Sequence, residues 1–181
     1  MFSLSLSLSS PLSRHAMEIP ENTSEYLSAD YWNERFKVEP KYEWLGEYSD
    51  NDMREKIHRH LECGGKGSST TSADVVLVVG NGNSQMGQRV ALDKKVTTSP
   101  SGCCITDISP VVVEKSREGA KAATGHQKHL RSTSWAVCDM LRLPFKDNSV
   151  DLIIEKGRHA LIYGTNERLS ILVWLFGWRR F

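Results

Sequence analysis

Residues 74–84 read DVVLVVGNGNS, a run of five apolar residues followed by a glycine-rich turn. The apolar residues Val75 to Val79 do not alternate with polar ones, so both faces of a strand formed by them would be buried, as in the middle of a parallel sheet. Gly80 and Gly82 allow a tight turn and a close approach of the backbone to a ligand. Together with a helix predicted over Ser84 to Ala91, the stretch predicts the first strand-turn-helix unit of a nucleotide-binding α/β fold.

The spacing of the glycines indicates which ligand this turn would bind. The dinucleotide fingerprint G-x-G-x-x-G requires a third glycine at position 85, where the chain has Gln85, and the next glycine comes at Gly87. A turn that does not pack against a pyrophosphate suits a nucleoside without phosphates, such as S-adenosylmethionine. A glycine turn that follows a core strand and binds nothing explains the same residues about equally well.

Each of the three strands predicted downstream has an acidic residue at its carboxyl end. The strands are residues 102–108, 133–137 and 150–154, and the acids are Asp107, Asp139 and Glu155. An acid after the second strand can accept hydrogen bonds from both ribose hydroxyls. Asp107 has an alternative role as the cap of a helix predicted over Pro110 to Ala123, but Ser109 could cap that helix equally well. Asp139 could accept the adenine amino group, with Met140 against the ring.

Aromatic residues cluster upstream of the first strand. Trp32 and Phe36 are four residues apart in a helix predicted over Ser28 to Phe36, so they share a face, and Trp44 belongs to a second cluster over residues 42–48. They are either core residues or a flap that folds over a ligand. We interpret residues 28–62, including a helix predicted from 51 to 61, as a lid segment, joined by a Gly/Ser/Thr linker at 63–73 to a core at 74–157.

Composition limits the possible functions. The chain has 181 residues, enough for one domain, and its 23 basic and 22 acidic residues nearly cancel, so neither nucleic acid nor a membrane is an expected partner. The four cysteines have no zinc-ligand spacing, which predicts reduced core thiols in a cytoplasmic protein and no metal site. Residues 1–27 begin with a serine- and leucine-rich stretch without an early basic residue, which predicts a disordered leader.

Taken together, the motifs resemble a known enzyme family. The order YW, YEWLGEY, VVLVVGNGNS, TDISPVVVEK and CDMLRLPFKDNSVDLIIEKG, from Tyr31 to Lys156, is similar to the class I S-adenosylmethionine-dependent methyltransferases. More specifically, it resembles the group that includes the eukaryotic elongation factor 1-alpha lysine methyltransferases. Members of that group usually have G-C-G-N-S where residues 80–84 read GNGNS.

The resemblance implies cofactor contacts in the lid segment and at four strand ends. They are Trp32, Phe36 and Trp44 closing over the cofactor, Gly80 beside its amino-acid portion, Asp107 and Ile108 at the ribose and adenine, Asp139 and Met140 at the adenine edge, and Lys156 near the methionine end.

The resemblance ends after Gly157, where the remaining residues 158–181 diverge. We interpret them as a divergent tail and the chain as C-terminally truncated, with a real C-terminal strand or a partner-binding tail as the alternative. The predicted fold is therefore an incomplete Rossmann-like α/β sheet of about four parallel strands in the order 3-2-1-4, with flanking helices, which ends at the strand over residues 150–154.

The function implied by the resemblance is methyl transfer from S-adenosylmethionine to a protein lysine, with elongation factor 1-alpha as the protein partner. The lysine amine attacks the methyl group directly, so no side chain of this chain has to act as a nucleophile and no catalytic residue is predicted. The first alternative is a non-catalytic fragment that binds the nucleoside or a partner. A nicotinamide-dependent oxidoreductase is a further alternative, which the residue at position 85 disfavours.

Overall fold

A computed structural model describes residues 22–39, 41, 51–64, 73–156 and 171–175. The leader up to residue 21, Trp44, most of the predicted linker, and the tail apart from residues 171–175 lie outside the described residues.

A five-stranded sheet forms the centre of the described structure. Its strands are β1 (Val76–Val79), β2 (Cys103–Asp107), β3 (Ser134–Val137), β4 (Leu152–Lys156) and β5 (Ile171–Leu175). The strand order is β3-β2-β1-β4-β5, and the first four strands are parallel, which confirms the predicted 3-2-1-4 arrangement. β1 lies between β2 and β4 and all four of its residues are buried, as its unbroken apolar pattern predicts.

β5 corrects the prediction that the sheet ends at β4. It runs antiparallel to β4, with Ile171 opposite Lys156 and Leu175 opposite Leu152, so the edge that we expected to be unpaired has a partner. A further parallel strand would require a crossover connection that brings the chain back to the start of the sheet. An antiparallel strand needs no such crossover, and an apolar run rich in β-formers is sufficient to pair.

Four α-helices accompany the sheet in the described part of the chain: α1 (Ala29–Val38), α2 (Asn51–Gly64), α3 (Met86–Leu92) and α4 (Pro110–Ala122). Each begins within two residues of its predicted start. Ser109 caps α4, since its Oγ accepts the Val112 N–H, and Pro110 occupies the first turn as predicted. Short 3-10 helices cover Thr23–Leu27, Pro100–Gly102 and Gly125–Ser132.

Helix α2 packs against one face of the sheet through apolar residues that are four positions apart. Met53, Ile57 and Leu61 are buried in the same cluster as Val76 and Val78 of β1. The opposite face of β1 packs against the segment that follows β3. On this opposite face, Leu143 and Phe145 form a separate apolar cluster with Leu77, Val79 and Ile153.

Candidate functional site

The turn after β1 is held in place by the side chain of Asn81. Gly80 and Gly82 have φ angles of 62° and 56°, in the left-handed region that glycine adopts without strain. Asn81 between them is 5% exposed. Its Nδ2 donates to the Ser84 carbonyl (3.0 Å), and its Oδ1 accepts the Gly87 N–H (2.9 Å). One amide therefore joins the turn to the first turn of α3, a role that we did not predict from the sequence.

Gly87 allows α3 to lie unusually close to β2. A Cβ atom added at this position would lie 2.7 Å from Asn81 Oδ1 and 2.8 Å and 2.9 Å from two side-chain carbons of Ile105. Side chains in contact do not approach this closely, so only glycine fits without a shift of the neighbours. The late glycine of the motif has a definite packing role between helix and strand.

Asp107, the predicted ribose acceptor, lies at the carboxyl end of β2 and is 4% exposed. Its Oδ2 accepts the Gly82 N–H (2.9 Å), and its Oδ1 accepts the Ser109 N–H (2.9 Å). The carboxylate thus connects the glycine turn to the residue that caps α4. Charge-assisted hydrogen bonds of this kind are roughly twice as strong as neutral ones, so Asp107 orders the rim of the sheet as well as presenting a negative charge there.

Backbone hydrogen bonds bring three strand ends together at this rim. The Asn81 N–H donates to the Thr106 carbonyl (3.1 Å), and the Cys138 N–H donates to the Asp107 carbonyl (2.9 Å). The residue after Cys138 is Asp139, which is half-buried and whose Oδ1 accepts the Leu141 N–H (3.0 Å). The carboxyl ends of β1, β2 and β3, with their predicted site residues, are therefore neighbours.

The remaining predicted residues have different surroundings. Met140 packs at the edge of the apolar cluster on the second face of the sheet, whereas Ile108 packs against the N-terminal aromatic residues. At the end of β4, Glu155 is 3% exposed and pairs in register with Val79 of β1. The backbone of Lys156 pairs with Ile171, and its side chain is outside the described part of the structure.

The aromatic residues of α1 cover the glycine turn. Trp32 and Phe36 are 6% and 3% exposed and are buried together with Val112 of α4. The Phe36 ring lies directly over Gly82, with its Cζ 3.3 Å from where a Cβ of that glycine would be. Trp32 Nε1 donates to the Tyr26 carbonyl (2.8 Å). Of the predicted aromatic residues, Phe36 therefore lies at the turn, and Trp32 is stacked against it.

Polar contacts of Arg35 stabilise this aromatic layer. Its guanidinium donates to both carboxylate oxygens of Glu39 (3.0 and 2.8 Å) and to the Tyr31 hydroxyl (2.8 Å). The hydrogen bond to Glu39 raises the pKa of Arg35 above its usual value. The Arg35 guanidinium carbon is also 5.8 Å from the centroid of the Trp32 ring, within cation–π range. The charged residue fixes the orientation of Tyr31 and Trp32 in the helix.

A narrow crevice lies between α4, β2 and the glycine turn. Its lining includes Gly82, Asp107, Val113 and Trp135. The crevice is too narrow to hold even a water molecule. In the described structure it therefore does not admit a nucleoside.

Hydrogen bonds of the buried residue Asp93, which follows the last residue of α3, connect that helix to α2. Asp93 Oδ2 lies 2.9 Å from Arg54 Nε and 2.9 Å from His58 Nε2. The contact was not predicted, because its partners are separated by more than 30 residues in sequence. In the described ranges no group of His, Cys, Asp and Glu residues could hold a metal ion, and no helix there is long and apolar enough to cross a membrane.

Relatives with known names match most of this chain. A mouse protein named EEF1A lysine methyltransferase 4 is 30% identical over 145 residues, which are 77% of this chain and 47% of that protein. The chain is similar to the eEF1A lysine methyltransferases. The bovine EEF1A lysine methyltransferase 4 is 28% identical over 161 residues, 85% of this chain and 53% of that protein. A mouse eEF1A lysine and N-terminal methyltransferase is 25% identical over 155 residues, 84% of this chain and 19% of that protein.

The similarity to the eEF1A lysine methyltransferases extends over only part of those proteins. The chain spans about half the length of the two proteins named EEF1A lysine methyltransferase 4 and about a fifth of the longer relative. No family model matches the chain, and no solved structure matches it. The named relatives bear out the family predicted from the motifs, and the parallel sheet bears out its fold.

Proposed function

We propose that this chain binds S-adenosylmethionine and acts as a protein lysine methyltransferase whose substrate is eEF1A. The observation that supports the proposal most strongly is the position of Asp107, a buried carboxylate at the end of the second parallel strand, hydrogen-bonded to the glycine turn. In doubly wound α/β folds this is where an acid binds ribose hydroxyls. The names of the relatives support the methyl acceptor.

The residues at the rim suit the nucleoside part of this cofactor. A carboxylate has about four acceptor sites, so Asp107 can accept from backbone N–H groups and from ribose hydroxyls together. Ile108 and Met140 would contact the adenine ring, and Asp139 would accept a hydrogen bond from its amino group. The hydrogen bond from Cys138 to Asp107 places these two strand ends side by side and supports a shared role.

The methionine part would lie against the glycine turn. Gly80 would be beside it, Lys156 would be near its end, and the aromatic residues Trp32, Phe36 and Trp44 would close over it. The overlap of the Phe36 ring with Gly82 supports this role for α1. Aromatic faces attract cations, and a sulfonium is a cation, so this composition suits the ligand.

When bound, S-adenosylmethionine supplies an electrophilic methyl group. The contribution of the protein is to orient that group, to exclude water, and to receive a lysine amine in its neutral form, because only the neutral amine has a lone pair for the attack. Positioning and desolvation of the amine then provide most of the acceleration. We assign no catalytic side chain.

The glycine turn also helps to distinguish this cofactor from a nicotinamide dinucleotide. The Gly82 N–H donates to Asp107 and the Gly87 N–H donates to Asn81. In a dinucleotide site such N–H groups at the turn and helix start face the pyrophosphate. The arrangement favours a ligand without phosphates. The buried, reduced thiols Cys103 and Cys138 support the cytoplasm as the location.

The test is transfer of a radiolabelled methyl group from S-adenosylmethionine to purified eEF1A, with mass spectrometry to identify the modified residue. We expect label on a lysine, and we expect eEF1A whose lysines have been blocked by acetylation to accept none on those residues, because an amide nitrogen has no lone pair for the attack. Binding of S-adenosylhomocysteine without any transfer would support the alternative of a non-catalytic nucleoside-binding fragment. Absence of both would refute the proposal.

A further inference from the structure

We propose that residues 22–39, the aromatic cap, form a gate that must be released from α4 before a ligand can reach Asp107, and that Asn33 and Lys115 are the latch of this gate. The inference rests on the proposed function of the rim as a nucleoside site and adds a step to it. Two hydrogen bonds, at opposite ends of the contact between cap and α4, define the latch.

The observed position of the cap excludes a nucleoside from the rim. The Phe36 ring contacts Gly82 with no space for a ligand between them, and Asp107 below it is 4% exposed. The crevice beside this carboxylate is too narrow to hold a water molecule. Because the Phe36 ring covers the glycine turn to which Asp107 is hydrogen-bonded, a nucleoside reaches this carboxylate from the turn only after the cap has moved.

The internal contacts of the cap indicate that it moves as one body. The rings of Trp32 and Phe36 are stacked, with centroids 5.5 Å apart and planes at 25°, and Tyr26 and Tyr31 pack edge-on against each other. The bidentate ion pair of Arg35 with Glu39 joins the last turn of α1 to the residue that follows it. These contacts lie within residues 22–39, so they persist when the cap separates from the core.

The attachment of the cap to α4 is polar at two points. Ser109 Oγ donates to Asn33 Oδ1 (2.6 Å), and Lys115 Nζ donates to the Phe36 carbonyl (2.5 Å). Ser109 also caps α4, and its neighbour Asp107 is the proposed ribose ligand, so the first contact lies next to the site. Lys115 is exposed, so water can compete for its hydrogen bond and favour release.

Such a gate makes a kinetic prediction. If ligand binds only the open form, the observed association rate levels off at the opening rate as ligand concentration increases, and the apparent affinity is reduced by the open fraction. Weakening the latch raises the opening rate without altering any residue proposed to touch the cofactor.

The experiment compares the wild type with Lys115→Met and Asn33→Ala, and uses Lys121→Met as the control, an exposed lysine further along the same helix. Hydrogen exchange of residues 23–38 is measured without ligand, and S-adenosylhomocysteine association is measured by stopped flow. Loss of one hydrogen bond predicts about two- to fivefold faster cap exchange and a plateau rate higher by the same factor in the two latch variants. The control should behave as wild type, and melting temperatures should change little.

The outcomes separate the gate from the proposed function. Equal cap exchange in the wild type and both latch variants, or an association rate that increases linearly without a plateau, would overturn the gate while ligand binding stands. Faster cap exchange with S-adenosylhomocysteine binding detectable only in the latch variants would support it. Faster cap exchange with no binding in any variant would overturn both the role of the cap as a ligand gate and the proposed cofactor.

Discussion

Replacing Gly87 by alanine tests the close packing that positions the glycine turn. The new methyl group would lie 2.7 Å from Asn81 Oδ1 and less than 3 Å from two side-chain carbons of Ile105. Inserting a methyl group into a packed interior costs about 1–3 kcal/mol. The Gly87 N–H also bonds to the Asn81 oxygen that would be displaced, and that bond contributes about 1 kcal/mol. Against this, alanine in a helix is favoured over glycine by about 1 kcal/mol.

The expected net effect of Gly87→Ala is a loss of about 1–3 kcal/mol in the free energy of unfolding, because the clash and the lost hydrogen bond together outweigh the gain in helix propensity. Gly119→Ala is the matched control, because Gly119 lies in α4 with no atom within 4 Å of the position that the added methyl group would occupy. That variant should be more stable than wild type by about 0.5–1 kcal/mol. Urea unfolding measures both values. Gly87→Ala that is as stable as Gly119→Ala would refute the close approach of α3 to β2.

Three further predictions concern other parts of the fold. Asn81→Ala removes the acceptor of the buried Gly87 N–H and a donor to the Ser84 carbonyl, so it should lower the free energy of unfolding by about 1–3 kcal/mol. A loss of less than about 0.5 kcal/mol in urea unfolding would contradict the bracing role of Asn81. Burial raises the pKa of Cys103 from 9.0 to about 12 and that of Cys104 from 9.0 to about 11. Because the thiolate is the form that reacts, these cysteines in the folded protein should react slowly with a thiol reagent at pH 8, measured in a Cys63→Ser variant. The unfolded thiols ionise first, so stability should fall as pH rises from 9 through those values, and rapid native labelling would contradict their burial. Val173→Pro should prevent β5 from pairing with β4 and expose an edge, so that light scattering detects self-association, and an unchanged monomer with an unchanged melting temperature would argue against β5.

Local patterns in the sequence were sufficient for the centre of the fold. The unbroken apolar run of β1 required two neighbouring strands, and the sheet has them. Ser109 followed by Pro110 marked the start of α4, because a hydroxyl acceptor and a residue without an N–H suit the first turn of a helix. The position of Asp107 at the rim follows from strand length alone, since carboxyl ends of parallel strands meet at one edge.

Features that depend on distances between elements could not be predicted. The hydrogen bonds of Asn81 require α3 to start close to the turn, and that distance depends on the contact between Gly87 and Ile105. β5 was considered only as an alternative to a divergent tail, because an apolar run gives no information about which strand it pairs with or in which direction. Asp93 is a buried carboxylate, but nothing near it in sequence identifies its partners on α2.

Calorimetric titration of S-adenosylhomocysteine into the chain tests the central claim most directly, with NAD titrated in parallel. The informative variant is Asp107→Asn, because it removes the charge and keeps one acceptor oxygen, whereas Asp107→Ala would leave both the Gly82 and the Ser109 N–H groups without their acceptor. Asp147→Asn in an exposed turn is the control. We predict one S-adenosylhomocysteine per chain, no heat from NAD, and an affinity lower by about tenfold or more in Asp107→Asn only, since a charged acceptor contributes about 1.5–3 kcal/mol per hydrogen bond. A folded wild type that binds NAD or neither ligand, or a folded Asp107→Asn with unchanged affinity, would contradict the assignment of the rim as a nucleoside site.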